Sequence, residues 1–284
     1  MLAYRHAFHA GNHADVLKHL VLAEILRYMN EKDKPYTLVD THAGAGGYAL
    51  DGRYAQKNAE YKGGISALYD QAQLPEPLAH YVELVRGFNQ GGRLNQYPGS
   101  PAVARQLMRS TDRLRCYELH PTELRILEAY LADRPNTQVS GADGFGALRA
   151  ELPPPSRRAV VLIDPPYEIK ADYAKVVGAL REAMQRFAEG TVAIWYPQLQ
   201  LLESAQLVQR LKSVAEASAK KGWLHVRLSV EHADAKGFGM LGSGMFVVNP
   251  PFKLHDQLLQ CLPTLVDRLG QVDDASYLLE QLPG

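Results

Sequence analysis

Four consecutive residues, Asp164-Pro165-Pro166-Tyr167, carry the sharpest chemical signal in the chain, because they close the apolar run Ala159 to Ile163 (AVVLI). Proline cannot continue a hydrogen-bonded ladder, so two of them end a strand. A plain strand-ending turn needs neither the acid before them nor the tyrosine after them. Two prolines fix the main chain so that the Asp164 carboxylate and the Pro165 carbonyl face one ligand edge. Paired acceptors suit an exocyclic amino group, which offers two N–H donors. Hydrogen bonds to both N–H groups would draw such an amine towards tetrahedral geometry and expose its lone pair. Tyr167 is then expected to supply a π-face on which a flipped-out base stacks.

A glycine-rich loop, HAGAGGYA at 42–49, follows the β-rich segment YTLVD at 36–40. Glycines there let a nucleotide-type ligand approach the main chain at the carboxyl edge of a sheet. Gly44 to Ala49 fits the G-x-G-x-x-A form of the dinucleotide fingerprint, but a nicotinamide cofactor wants an acid closing the next strand ~20 residues on. Glu60 and Asp70 end no strand, whereas Glu118 does and comes much later. Asn249-Pro250-Pro251-Phe252 repeats the proline motif, but too near residue 284 to leave room for the strands that follow a catalytic loop, so it reads as structural. His9 and His13 have the i, i+4 spacing of a helical metal pair, yet Gly11-Asn12 interrupts the helix they would need, and no metal is expected. Lys18 lies early in a helix, where the dipole disfavours a cation, which points to a role facing a phosphate or a base.

The elements that must position these residues are legible in the periodicity. Asn12 with Asp15 reads as a capped helix start, and the stripe Val16, Leu17, Leu20, Val21, Ile25, Tyr28 carries the helix to about Asn30. Seven strands are expected, at 36–40, 114–119, 137–141, 159–165, 191–197, 224–231 and 244–250, separated mostly by helical patterns. Alternation of that kind argues a parallel, doubly wound α/β sheet. The first two strands stand far more than the ~30 residues of a βαβ unit apart. The crossover helix begins at Ser100, as N-cap, with Pro101 at its first position, so the surplus at 48–97 is an inserted helical subdomain within a domain made of 1–47 and 98–284.

The 284 residues include 46% hydrophobic and 22% charged types, which excludes a disordered chain, and Cys116 and Cys261 are too few for a disulfide framework. No apolar run is long enough for a membrane span, and the N-terminus has no signal core, so a soluble cytoplasmic protein is expected. Lys and Arg number 31 against 31 Asp and Glu, which argues against a non-specific nucleic-acid binder. Arg157-Arg158, Lys220-Lys221, and Arg53, Lys57 and Lys62 of the insert are the candidate local basic patches.

The blocks YRHAFHAGNHADVLKH from Tyr4, DTHAGAG, YPGSP, ELHP, ADGF, LIDPPYE and NPPFKL run over nearly the whole chain. Together they resemble the bacterial 23S rRNA adenine-N6 methyltransferases of the RlmJ family. The resemblance implies a class I S-adenosylmethionine-dependent methyltransferase, with a Rossmann-like seven-stranded sheet and a small helical insert. It implies S-adenosylmethionine as cofactor and a cofactor site of His19, His42, Ser100, Glu118, Asp143, Gly144 and Asp164. Within it Glu118 would accept from the ribose hydroxyls and Asp143 from the adenine amine. Tyr4, His6 and Lys18 would stand on the substrate side with Pro165 and Tyr167, and Asp164 would be catalytic. The expected partner is 23S rRNA, protein-free or early in assembly, acted on by a monomer without a membrane. A DNA adenine-N6 methyltransferase is the nearest rival. A protein-amide methyltransferase usually has Asn first in the loop, and a non-catalytic RNA-binding assembly factor would not need the set from Gly44 to Tyr167.

Overall fold

Strand Ala159–Ile163 is buried at every position, with Val160 and Leu162 in one apolar cluster and Val161 and Ile163 in the other. That alternation is what a strand covered on both faces requires. The computed structural model describes residues 6–233 and 239–284. In chain order the elements begin with α1 (His13–Asn30), β1 (Thr37–Asp40), β2 (Gly47–Ala49), α2 (Arg53–Asn58), α3 (Ser66–Tyr69), α4 (Glu76–Phe88), β3 (Gln96–Pro98) and α5 (Ser100–Leu107). There follow β4 (Arg113–Tyr117), α6 (Pro121–Leu131), β5 (Thr137–Ser140), α7 (Gly144–Glu151), β6 (Ala159–Ile163), α8 (Ala171–Arg186) and β7 (Thr191–Gln198). The chain closes with α9 (Leu202–Ser218), β8 (Trp223–Ser229), β9 (Gly242–Val248), α10 (Leu254–Leu269) and β10 (Ser276–Leu282).

The sheet has eight strands rather than the seven expected, in the order β10-β8-β9-β7-β6-β1-β4-β5. β5, β4, β1, β6 and β7 are mutually parallel, while β9 runs antiparallel between β7 and β8, and β10 antiparallel to β8. The purely parallel expectation therefore fails at one end. β10 is exposed at both ends, partly buried only in its middle three residues and shows no buried/exposed alternation, so periodicity carries no trace of it. Helices α7, α8 and α9 cover one face; α1, α4, α5, α6 and α10 share the cluster on the other.

Asn12 caps α1 as expected, its Oδ1 accepting from the Ala14 and Asp15 amides at 3.0 Å each. The helix is buried on all sides from His13 to Leu26, between the sheet and helices α4, α5 and α10, so its polar residues are enclosed as well as its apolar stripe. The segment 48–97, expected to be an insert, starts and ends in a two-stranded ribbon, β2 against β3, pairing Tyr48 with Tyr97. Leu78, Tyr81, Val82 and Val85 of α4 lie in the same apolar cluster as Leu17 and Leu20 of α1, so the insert has no core of its own. A polar contact joins it further to α1: His19 Nδ1 lies 2.8 Å from the Tyr97 hydroxyl, which within the same segment lies 2.7 Å from that of Tyr81.

Candidate active site

Asp164 follows the last residue of β6 at the carboxyl edge of the parallel strands, where doubly wound sheets bind ligands. Lys18 Nζ donates to its Oδ2 at 2.6 Å and lies 2.9 Å from Asp15 Oδ1. Asp15 Oδ2 in turn lies 2.8 Å from His6 Nε2 and accepts from the Gly11 amide at 2.9 Å. Burial works against the charge on Lys18, but Asp15 and Asp164 together hold its pKa above the ordinary lysine value. Burial raises the pKa of Asp164, and the Lys18 ammonium opposes that rise. Asp15 is held well below the ordinary carboxylate range: His6 and Lys18 overcome the cost of its burial. The Lys18 side chain is only 5% exposed, yet it lines both openings beside Asp164. It is spent on two carboxylates, and that attraction outweighs the helix dipole.

A cavity of about 300 Å³ opens beside Asp164. His6, Lys18, His19, His42, Ser100 and Glu118 line it from the first half of the chain, and Asp143, Gly144, Asp164 and Pro165 from the second. Glu118 accepts from the Gly44 amide at 2.9 Å and from the His120 amide at 2.6 Å, one per oxygen. Each carboxylate oxygen keeps a lone pair for a ligand. Gly44 has φ +62°, and a Cβ there would come 2.1 Å from the Tyr48 hydroxyl, so only glycine lets the loop lie against Glu118 in this way. Asp143 caps α7, accepting from the Phe145 amide at 3.2 Å. The Thr41 hydroxyl gives its single proton to the Leu162 carbonyl, so His42 Nδ1–H is the donor in the 2.8 Å contact between them. Burial pushes His42 down to about 4 and His19, with Lys18 adding to the effect, to about 3, so both rings are neutral. Ser100 does not cap α5: its hydroxyl donates to Asp40 Oδ2 at 2.6 Å, and Gly99 takes the N-cap position.

A groove approaches Asp164 from the other side, lined by His9, His13, Asn58, Glu60, Trp195 and Pro197 among others. It shares His6, Lys18, Asp164 and Pro166 with the cavity, so the two meet at the carboxylate. Tyr167 lines neither. Its φ of +51° turns the side chain into the core, where it is 5% exposed, donates to the Trp195 carbonyl at 2.8 Å and packs on Tyr173 at 4.8 Å. The expected stacking surface is thus buried. The ring on the groove beside Asp164 is Trp195, with Lys18 Nζ 5.7 Å from its centroid. Tyr4 lies outside the described residues. His9 Nδ1 lies 2.9 Å from Glu60 Oε1, while His13 is buried at the start of α1.

Sequence reasoning missed Asp15, Asp40 and Trp195. The first was seen only as a helix-start acid, and its pairing with Lys18 at i, i+3 was the available signal. Asp40 is fully buried, and burial, with Asp164 nearby, pushes it up to about 7. Trp195 sits inside a strand, and only the strand order places it beside β6.

The donor set fits S-adenosylmethionine. Two acceptor-only carboxylates stand among Leu119, Phe145 and Ile169, and Leu119 and Ile169 are about half exposed, apolar surface that an adenosine would cover. Strand order, glycine loop and strand-end acids define a class I S-adenosylmethionine-dependent methyltransferase, and S-adenosylmethionine is its cofactor. The family model RsmJ, described as "Ribosomal RNA large subunit methyltransferase D, RlmJ", matches residues 33–280, and the chain belongs to this family. It is 45% identical over 269 residues to ribosomal RNA large subunit methyltransferase J of Escherichia coli (strain K12), covering 95% of this chain and 94% of that one. It is 44% identical to the protein of the same name from Haemophilus influenzae, covering 99% and 98%. Protein LPL1258 of Legionella pneumophila has a similar solved structure, with TM-score 0.86, 33% identity and coverage of 96% of this chain and 98% of that one.

Proposed function

We propose that the protein transfers the methyl group of S-adenosylmethionine to the exocyclic N6 of an adenine in 23S rRNA. The observation that carries the reading is the position of Asp164 at the junction of a cofactor-sized cavity and a separate groove. Bound S-adenosylmethionine supplies a methyl group already activated on a sulfonium. The chain's own task is to present a nucleophile. Asp164 Oδ2 is held by Lys18, leaving Oδ1 to accept one amine N–H, while the Pro165 carbonyl accepts the other. Burial raises the pKa of Asp164 and the Lys18 ammonium opposes that rise, while Asp15 fixes both Lys18 and His6 in place. Glu118 and Asp143 accept from the cofactor's ribose and adenine, and neutral His19 and His42 close the cavity without repelling a cation. Trp195 takes the stacking role that buried Tyr167 cannot.

An adenine must leave its stack to reach Asp164, which favours unpaired bases in protein-free or early-assembly RNA over a duplex. The reading places a monomer in the cytoplasm, where such RNA is made. Labelled methyl transfer to protein-free 23S rRNA, genomic DNA and total ribosomal protein tests it. Label should enter the rRNA; label entering DNA or protein in its place would overturn the reading.

A further inference from the structure

Topology separates the three basic patches of the sequence. Arg157-Arg158 precede β6 and Lys220-Lys221 precede β8, which puts both at the amino ends of the parallel strands, away from Asp164. Arg158 is also spent, donating to the Met29 carbonyl at 2.7 Å, and Arg157 lies over the Phe187 ring. Arg53 and Lys57 are different. They stand exposed on α2, which packs on the helical turn His6–Phe8 beside the groove. Arg53 lies 4.6 Å over the Tyr54 ring and Lys57 5.6 Å over Phe8, and those two rings meet edge-to-face at 5.1 Å. Among the described residues neither cation has a carboxylate within ion-pair distance. Asn58, Ala59 and Glu60, immediately after Lys57, line the groove whose inner end is Asp164.

We propose that Phe8, Arg53, Tyr54 and Lys57 form a docking surface for the RNA strand that flanks the target adenine, a proposal that rests on the reading of Asp164 as an RNA-methylating site. Among the described residues no carboxylate competes with a phosphate at Arg53 and Lys57; Arg53 donates to the Tyr54 hydroxyl at 2.6 Å, which holds the guanidinium beside the two packed rings. Cations interleaved with aromatic rings are what single-stranded RNA recognition uses. The overall charge balance makes a local patch the necessary device, since the net charge of zero attracts no polyanion.

The test compares the wild type, Arg53→Ala/Lys57→Ala and Lys220→Ala/Lys221→Ala, which loses the same charge at the far end of the sheet. Binding of a protein-free 23S rRNA transcript is measured across a salt series, with cofactor affinity measured on the same preparations. Each phosphate contact on a single strand contributes about 0.7 to the slope of log K against log salt, so the α2 variant should lose about 1.4 of slope and at least about tenfold in affinity at low salt. Cofactor affinity should hold, and the far-end variant should bind RNA as the wild type does. An unchanged slope in the α2 variant, or an equal loss in the far-end one, overturns the proposal. Failure of the wild type itself to bind and methylate the transcript would overturn the underlying reading instead, and the docking surface with it.

Discussion

Two loops carry the same pattern, Asp164-Pro165-Pro166-Tyr167 and Asn249-Pro250-Pro251-Phe252, and the fold gives them opposite work. The first leaves a parallel strand at the carboxyl edge, its carboxylate lies between cavity and groove, and its aromatic ring is buried. The second leaves β9, which runs the other way, so Val248 pairs with Val192 at the amino end of β7. There Asn249 is 2% exposed and Phe252 is 87% exposed, an inversion of the first loop. Asn249 Oδ1 accepts from the Lys220 and Lys221 amides, and its Nδ2 donates to the Ala188 and Gly190 carbonyls. Its amide has no capacity left for a substrate. Strand direction, not the motif, decides which loop can do chemistry.

The largest expected effect separates the loops outright. Asp164→Ala should lower methyl transfer on the order of 10²-fold or more, by analogy with loss of one oxyanion-hole donor, in a protein that stays folded. Full activity in that variant would dissolve the comparison. Asn249→Ala should do the reverse, costing about 2–3 kcal/mol of stability from four lost hydrogen bonds, read by denaturant titration, with transfer retained in the folded fraction. The aromatic residues extend the contrast. Trp195→Ala should reduce transfer about 5- to 150-fold, the worth of one stacked base, while Tyr167→Phe should cost stability alone, about 1 kcal/mol for its hydrogen bond. Steady-state rates beside melting curves would distinguish these outcomes, and a larger rate loss in Tyr167→Phe would restore the tyrosine as the stacking ring.

The smallest effect concerns the link between His9 and Glu60. The imidazole's pKa is raised, chiefly by its hydrogen bond to Glu60; burial opposes ionisation of the carboxyl, but His9 brings its pKa below the ordinary value. Stabilisation is therefore complete between the ordinary values of 4.5 and 6.5. It is lost as pH rises through the raised His9 value, and again as pH falls through the lowered Glu60 value. Both side chains are about a third exposed, so solvent screening keeps the effect under about 1 kcal/mol. The melting difference between wild type and His9→Gln should shrink from about pH 5.5 to about pH 8. A difference that grows over that range would mean that the pair is not ionic.

Much of the site was legible because it depends on order along the chain. An acid after an apolar run, a glycine loop after the first strand and Glu118 after the second mark the carboxyl edge wherever the strands sit. The capped start of α1 is local too. What sequence could not carry were directions and long-range partners. The left-handed backbone at Tyr167 reverses its side chain, Ser100 meets Asp40 across 60 residues, and Lys18 meets Asp164 across 146. β10 was invisible because an edge strand buried on neither face has no period to read.

The central claim is that Asp164 presents an adenine amine for methylation. Its most direct test is nucleoside mass spectrometry of protein-free 23S rRNA after incubation with S-adenosylmethionine and either the wild type or Asp164→Ala. The account predicts N6-methyladenosine from the wild type and its loss with the variant. A methyl group on a ribose oxygen or a ring carbon, or undiminished N6-methyladenosine from Asp164→Ala, would contradict it.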